Sequence, residues 1–356
     1  MAQQTLQIAD KPTLDEVKAL LENNNGTDGE FGFQKELPIN VSLHAFIFKG
    51  KLHVITSDTL WSTTYSTNSS EKTVTRYYDY TIDLETKEIL DCIYIGNANT
   101  ANISYGKVFV FDGYVVVAWY TLSNTSNGYQ YTLNSYIYTE ENGWNYYSNG
   151  IFYDVARYTG SGIVQANGEL LLMFYAVNTT QSRYLYRMSI SSDGTLTTRT
   201  VSFSTALADT SYAVPRILCV DDRDLKFIYF NNVNKPYLIT GVYDEENDTY
   251  TFDNTTEVAL TTTGGYTRSY NSIYGKYYGL FTYKGNIFNI YKNDIYKVGL
   301  TGNEVLFEMP VMHLKKNVPQ DTSKVFDGDK LHIFGDTSDA SNFDHYVIDL
   351  TKLPIS

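Results

Sequence analysis

The chain has 356 residues, a net charge of −13, 43% hydrophobic residues and 33 tyrosines. The acidic balance argues against a nucleic-acid footprint and against docking on an anionic membrane, since both need clustered Lys and Arg. No stretch reaches the roughly 18 apolar residues of a membrane-spanning helix, and the N-terminus lacks the basic and apolar regions of a secretory signal.

Residues 1–35 read differently from the rest. Pro12, then Thr13 with Glu16, fits a capping box, and Leu14, Val17, Leu20 and Leu21 follow at helical spacing. A helix this short is marginal alone, so the stripe needs a partner: the protein's own body, a symmetry mate in a homo-oligomer, or a larger assembly. The following NNNGTDGEFG reads as a flexible tether.

Beyond residue 36 the pattern is strand after strand. Apolar runs flank tight turns at Gly50, Gly113, Gly168, Gly285 and Gly328, and Asp222 with Arg223 take one turn without glycine. A second kind of turn, polar and short, recurs at 84–89, 139–144, 191–196, 244–250, 300–305 and 350–355. Markers at Lys87, Gly143, Gly194, Asp248, Gly302 and Lys352 are separated by 56, 51, 54, 54 and 50 residues. Six copies of about 53 residues, each with room for four strands, predict an all-β, six-bladed β-propeller over 36–356. The sixth copy ends after its third strand, and 36–42 is expected to supply the fourth.

The repeats resemble the kelch family, on KGKLHVI and RYYDYTIDLETKEI, although the paired glycines that follow the kelch hairpin are absent. The opening TLQIADKPTLDEVKALLEN resembles the leading segment of tail-fibre and baseplate proteins of phages and prophages of Gram-positive bacteria. That resemblance implies a virion tail protein made in the bacterial cytoplasm. Its helix would attach to other tail proteins, and its propeller would bind a host-surface glycan or protein.

In a four-stranded meander the first and third connections share one end. Both are tight here, so the long connections are expected at the other end: 57–75, 120–130, 148–162, 204–213, 262–277 and 309–320. They carry the ligand-binding candidates Trp61, Tyr65, Tyr120, Tyr129, Tyr153, Tyr158, Tyr212, Tyr266, Tyr270 and Tyr274. Aromatic rings stack on sugar C–H faces or fill gaps between blades.

Chemistry-bearing motifs are sparse. Cys92 and Cys219 read as buried thiols. His53 and His332 hold equivalent repeat positions, which suggests a shared structural role. Asp336, Asp339 and Asp344, and Asp221, Asp222 and Asp224, read as solvated turn carboxylates without calcium-loop spacing, so no metal or cofactor is expected. SISSDGTL (189–196) resembles the Asp-box of sialidases but lacks its second Gly and closing Trp. Asp154 and Asp209 are the carboxylates conceivable for glycoside hydrolysis, with nothing in the sequence pairing them. The expectation is a non-enzymatic receptor-binding protein, with a polysaccharide-degrading propeller enzyme or a purely structural virion connector as alternatives.

Overall fold

The computed structural model describes residues 27–29, 32–37, 42–62, 72–86, 88–97, 103, 106–154, 158–176, 183–203, 216–220, 223–230, 236–253, 280–291, 294–298, 303–308, 324–336 and 343–353. The fold is all-β, and no α-helix occurs among these residues. The expected helix with Leu14, Val17, Leu20 and Leu21 lies outside them.

Strands run in antiparallel meanders with the blade pattern of a β-propeller. Those of the first meander are β3 (Ser42–Phe48), β4 (Lys51–Ser62), β5 (Lys72–Asp83) and β6 (Ile89–Asn97). The second holds β7 (Lys107–Phe111), β8 (Tyr114–Thr125), β9 (Gly128–Thr139) and β10 (Gly143–Asp154), and the third β11 (Tyr158–Ala166), β12 (Glu169–Ala176), β13 (Arg183–Ile190) and β14 (Leu196–Phe203). The fourth holds β15 (Arg216–Val220), β16 (Asp224–Phe230), β17 (Pro236–Asp244) and β18 (Thr249–Asp253), and the fifth β19 (Leu280–Tyr283), β20 (Asn286–Tyr291), β21 (Asp294–Val298) and β22 (Asn303–Glu308). Five sheets therefore have the four-stranded blade order, one fewer than the six expected.

The remaining sheet draws on both ends of the chain and has five strands. Its order is β1 (Thr27–Gly29), β2 (Gly32–Leu37), β25 (Phe343–Asp349), β24 (Lys330–Asp336) and β23 (Lys324–Asp327). The strand added beside β25 is Gly32–Leu37, with Gly32 opposite Ile348 and Leu37 opposite Phe343. It lies upstream of the expected 36–42 and crosses the expected boundary at 35/36. GFQKEL carries little apolar alternation, so pairing with β25 rather than its own pattern makes it a strand. Part of the expected tether is strand too, since Thr27 pairs with Gln34.

The chain falls into two compact units. One comprises 1–100, 311–319 and 323–356, and the other 101–310 and 320–322. Within the second unit the first strands of successive sheets approach one another, β7 to β11, β11 to β15 and β15 to β19; within the first unit β23 approaches β3. First strands as neighbours, with later strands further out, is the order in which propeller blades are built.

Two turn chemistries set the strand register. In three of the first turns both central residues have positive φ: Lys49 with Gly50, Asn167 with Gly168, and Lys284 with Gly285. That twist matches the right-handed twist of the flanking strands. The polar turns close on a side chain at their first position. Asp83 Oδ1 accepts from the Glu85 and Thr86 amides, Asp244 Oδ1 from those of Glu246 and Asn247, and Thr139 Oγ1 from that of Asn142. Such short local bonds fix the turn without long-range contacts.

The core of the second unit lies between the β7–β10 and β11–β14 sheets. Val116, Ala118, Tyr131, Leu133 and Ile137 meet Leu170, Leu172, Tyr186 and Met188 there. Phe152 stacks between Tyr131 and Tyr186, at 4.2 and 4.7 Å between ring centroids. At one margin Gly194 (φ +82°) sits beneath Tyr147, and a Cβ added there would lie 2.1 Å from the Tyr147 ring. Asn149 Nδ2 also donates to the Gly194 carbonyl at 3.1 Å.

Gly194→Ala is therefore expected to cost about 2–4 kcal/mol, combining left-handed backbone strain with overpacking. Chemical denaturation of the single variant, and of Gly194→Ala with Tyr147→Ala, separates the two parts. The double variant should lose the overpacking share and keep the backbone share.

Candidate functional site

The first, second and third strand-to-strand turns are all short in the β7–β10 sheet. The stretches 120–130 and 148–162, expected as long loops, are largely strand: β8 and β9 meet across the two residues Ser126 and Asn127, and β10 extends to Asp154. Likewise Trp61 lies on β4, Tyr153 on β10 and Tyr158 on β11. A mostly polar stretch such as YTLSNT carries no strong strand signal, and pairing with a 12-residue neighbour extends the ladder. Tyr120 and Tyr129 are half-buried against the core between the β7–β10 and β11–β14 sheets. Tyr65, Tyr212, Tyr266, Tyr270 and Tyr274 lie outside the described residues.

The candidate site is the other face of the β7–β10 sheet, turned away from that core. Pairing puts Trp119 opposite Asn134, Thr121 opposite Thr132 and Ser123 opposite Gln130. From the far side β10 brings Ser148 opposite Asn134 and Tyr146 opposite Tyr136. The row runs from an aromatic end (Trp119, Tyr136, Tyr146) to a hydroxyl and amide end (Thr121, Thr132, Ser123, Gln130), and none of these residues is charged. Trp119 lies 6.3 Å from Tyr136 and 6.4 Å from Tyr146, centroid to centroid.

Asn134 ties the two ends together. Its Oδ1 accepts from Tyr146 Oη at 2.9 Å and from Ser148 Oγ at 3.1 Å, and its Nδ2 donates to Thr121 Oγ1 at 3.0 Å. Asn134 is only 6% exposed, whereas Tyr146 is 37% exposed and Ser148 and Thr121 are exposed too. A buried amide thus holds three accessible groups in one array. Sequence reading missed it because none of these residues stands out singly; the signal is the shared pleat parity of three strands.

A charged cluster links the neighbouring sheets of the same unit. Arg187 on β13 is 3% exposed. Its Nε donates to Glu169 Oε2 at 2.6 Å, Nη1 to the Asp248 carbonyl at 2.6 Å and Nη2 to Asp248 Oδ1 at 2.7 Å. Arg199 on β14 adds bonds to Glu169 and Asp248, and Tyr243 Oη donates to Asp248 Oδ1. The Tyr243 hydroxyl, then Arg187 and Arg199, hold the Asp248 carboxyl well below the usual carboxylate range. Burial alone would lower the Arg187 pKa, but its bonds to Asp248 and Glu169 outweigh that and raise it. Asp248 has φ +53°, a conformation costly outside glycine. The cluster reads as a clamp between the β11–β14 and β15–β18 sheets.

Two expectations about single residues change. His53 Nδ1 meets Asp79 Oδ2 at 3.0 Å, with both buried, and stacks on Phe46 at 4.7 Å. His332 Nε2 instead lies 3.8 Å from Asp327 on its own hairpin. The residue facing His53 diagonally is Asp79, while the equivalent place opposite His332 is His345, so the two histidines share a position but not a pairing. Cys92 is half-buried rather than buried, and burial above all pushes its thiol up to about 11. The Asp-box-like turn is closed by Ser191 and Asp193, with Asp193 Oδ1 accepting from the Thr195 amide at 3.0 Å. Among the described residues no three His, Cys, Asp or Glu side chains gather in a metal-binding arrangement.

No known protein family matches the chain, so the kelch-like and tail-fibre resemblances have no family match behind them. No curated protein matches either. Among solved structures, the chain is similar to a Trypanosoma rangeli sialidase at 11% identity, over 88% of this chain and 56% of that one, with a TM-score of 0.45. It is also similar to a Bombyx mori GH32 beta-fructofuranosidase (12% identity, 90% and 74% coverage, TM-score 0.38). A third is a mannose phosphorylase from Leishmania mexicana (8% identity, 95% and 93%, TM-score 0.30). The chain thus spans little more than half the length of the sialidase. The expectation of a non-enzymatic protein is not carried forward, since the structures matched are named for enzymes.

The clamp carries its own test. Arg187→Met should cost about 2–3 kcal/mol, less than for a fully buried pair because Arg199 and Asp248 are half-exposed. Because folding lowers the Asp248 pKa, its contribution is complete above the ordinary carboxylate value of about 4 and is lost as pH falls below it. Urea midpoints from pH 7 to pH 2 should show Asp248→Asn less stable than wild type at neutral pH, with the gap closing in acid.

Proposed function

We propose that this chain is a glycan-active propeller enzyme that binds a surface polysaccharide on the Trp119 face of the β7–β10 sheet and cleaves it. The observation that carries the reading is the makeup of that face. At one end the exposed Tyr146 ring, backed by the buried rings of Trp119 and Tyr136, presents stacking surface for sugar C–H groups, and hydroxyls and amides at the other match sugar hydroxyls. The residues are fixed on paired strands, so little ordering is needed on binding.

Hydrolysis of a glycosidic bond ordinarily takes two carboxylates, an acid and a base or nucleophile. Asp154 ends β10 opposite Tyr129, past the irregularity after Gly150, and is the carboxylate assigned here to bond cleavage. Asp209, the second carboxylate singled out in the sequence, lies outside the described residues. A bacterial surface polymer is the substrate implied by the N-terminal resemblance. The place of residues 1–26 in a virion belongs to the same proposal.

Incubation with purified bacterial wall polysaccharides, followed by an assay for released fragments and new reducing ends, tests the reading. Release is expected, with at least a hundredfold loss in Asp154→Asn and retained binding in that variant. Absence of both release and binding across the polysaccharides contradicts the proposal.

A further inference from the structure

We infer that the glycan recognised on this face is uncharged at the contact, and that Asn134 is the positioning residue that makes it so. The inference rests on the reading above and follows from the direction of each hydrogen bond. Tyr146 and Ser148 spend their hydroxyl protons on Asn134 Oδ1, so each presents lone pairs outward. Thr121 accepts from Asn134 Nδ2, so its own proton remains to be donated. The array is two acceptors and one donor within a single sheet face.

Sugar hydroxyls both donate and accept, and can meet all three groups at once. A carboxylate, sulfate or phosphate only accepts. Among the groups held by Asn134 it would find one donor, Thr121, and face the lone pairs of Tyr146 and Ser148, so part of its hydration there would go unreplaced. Among the described residues of the face none is a cation that could offset this. In the adjoining sheet Arg187 and Arg199 are engaged by Glu169 and Asp248. The net charge of −13 opposes anionic polymers further.

Asn134 acts through its neighbours rather than by covering the ligand, being almost fully buried beneath them. An aspartate in its place accepts from Tyr146 and Ser148 as before but cannot donate to Thr121 when ionised. Thr121 then turns its proton inward and the outward donor is lost. Protonated, the acid donates as the amide does. Among the described residues, Trp119, Thr121, Tyr146 and Ser148 face position 134 from β8 and β10, and none is a carboxylate or an imidazole.

The test uses the full chain on immobilised oligosaccharides of equal length, one set of neutral hexoses and one bearing sialic or uronic acids. Wild type should retain the neutral set at least about tenfold more strongly, with affinity flat from pH 4 to pH 8. Asn134→Ala should weaken retention about tenfold, a loss equivalent to one or two hydrogen bonds. Asn134→Asp should bind close to wild type at pH 4 and lose affinity as pH rises through the carboxylate range. Thermal melting checks folding, and Tyr146→Phe, which keeps the ring, carries the test with about threefold loss if Asn134→Ala does not fold. Preference for the acidic set, or variants that bind like wild type at every pH, overturns the inference while leaving glycan binding intact. No retention of either set by wild type overturns the underlying reading as well.

Discussion

Strand register is the constraint on which everything else in this chain depends. In a pleated strand successive side chains point to opposite faces, so a slip of one residue exchanges the faces completely. In the β7–β10 sheet that exchange would bring Asn134, Thr121 and Ser148 into the core beside Tyr186 and Met188. It would also expose Leu133, Ala118 and Tyr131. The core forbids the slip from one side. The short turns at Asp112–Gly113 and Glu140–Asn142 forbid it from the ends, because they leave no spare residue to absorb a shift. The site is thus a consequence of how the opposite face is buried.

Rigid sheets also need to be held to one another, and here this is done by unlike means at different places. The β7–β10 and β11–β14 sheets are joined by apolar packing, a stacked aromatic row and the close seat of Tyr147 over Gly194. The β11–β14 and β15–β18 sheets are joined by two arginines and two carboxylates, with Arg187 also lying over the rings of Tyr243 and Tyr250. Apolar packing contributes at any pH, whereas the clamp depends on ionised carboxylates. The first of these seams backs the glycan face, so the surface proposed for recognition rests on the pH-insensitive support.

Much of the fold was legible in the sequence because it is written in local chemistry. Gly50, Gly168 and Gly285 announce their turns by the positive φ these turns require, and Asp83 and Asp244 announce theirs by a bond to amides two and three residues on. Even the hairpin without glycine between β15 and β16 was readable, since apolar runs flank it and Val220 pairs with Asp224. What was not legible is pairing at a distance. GFQKEL becomes a strand only because β25 offers it an edge, and β8 to β10 outrun their apparent loops only because each has a long neighbour. The site suffers the same blindness. Tyr120 and Tyr129 were selected as loop aromatics and turn out to pack against the core, while Asn134 drew no attention among so many Asn, Ser and Thr. Its importance comes from its partners, and those lie 12 to 14 residues away on two other strands.

The central claim is that one face of the β7–β10 sheet meets a carbohydrate. Hydrogen exchange of backbone amides, followed by mass spectrometry with and without a neutral oligosaccharide retained by the protein, reads this most directly. The account requires slowed exchange in peptides covering β8, β9 and β10, with the β11–β14 and β15–β18 sheets unchanged. Protection confined to other sheets, with these three strands exchanging as before, would contradict it.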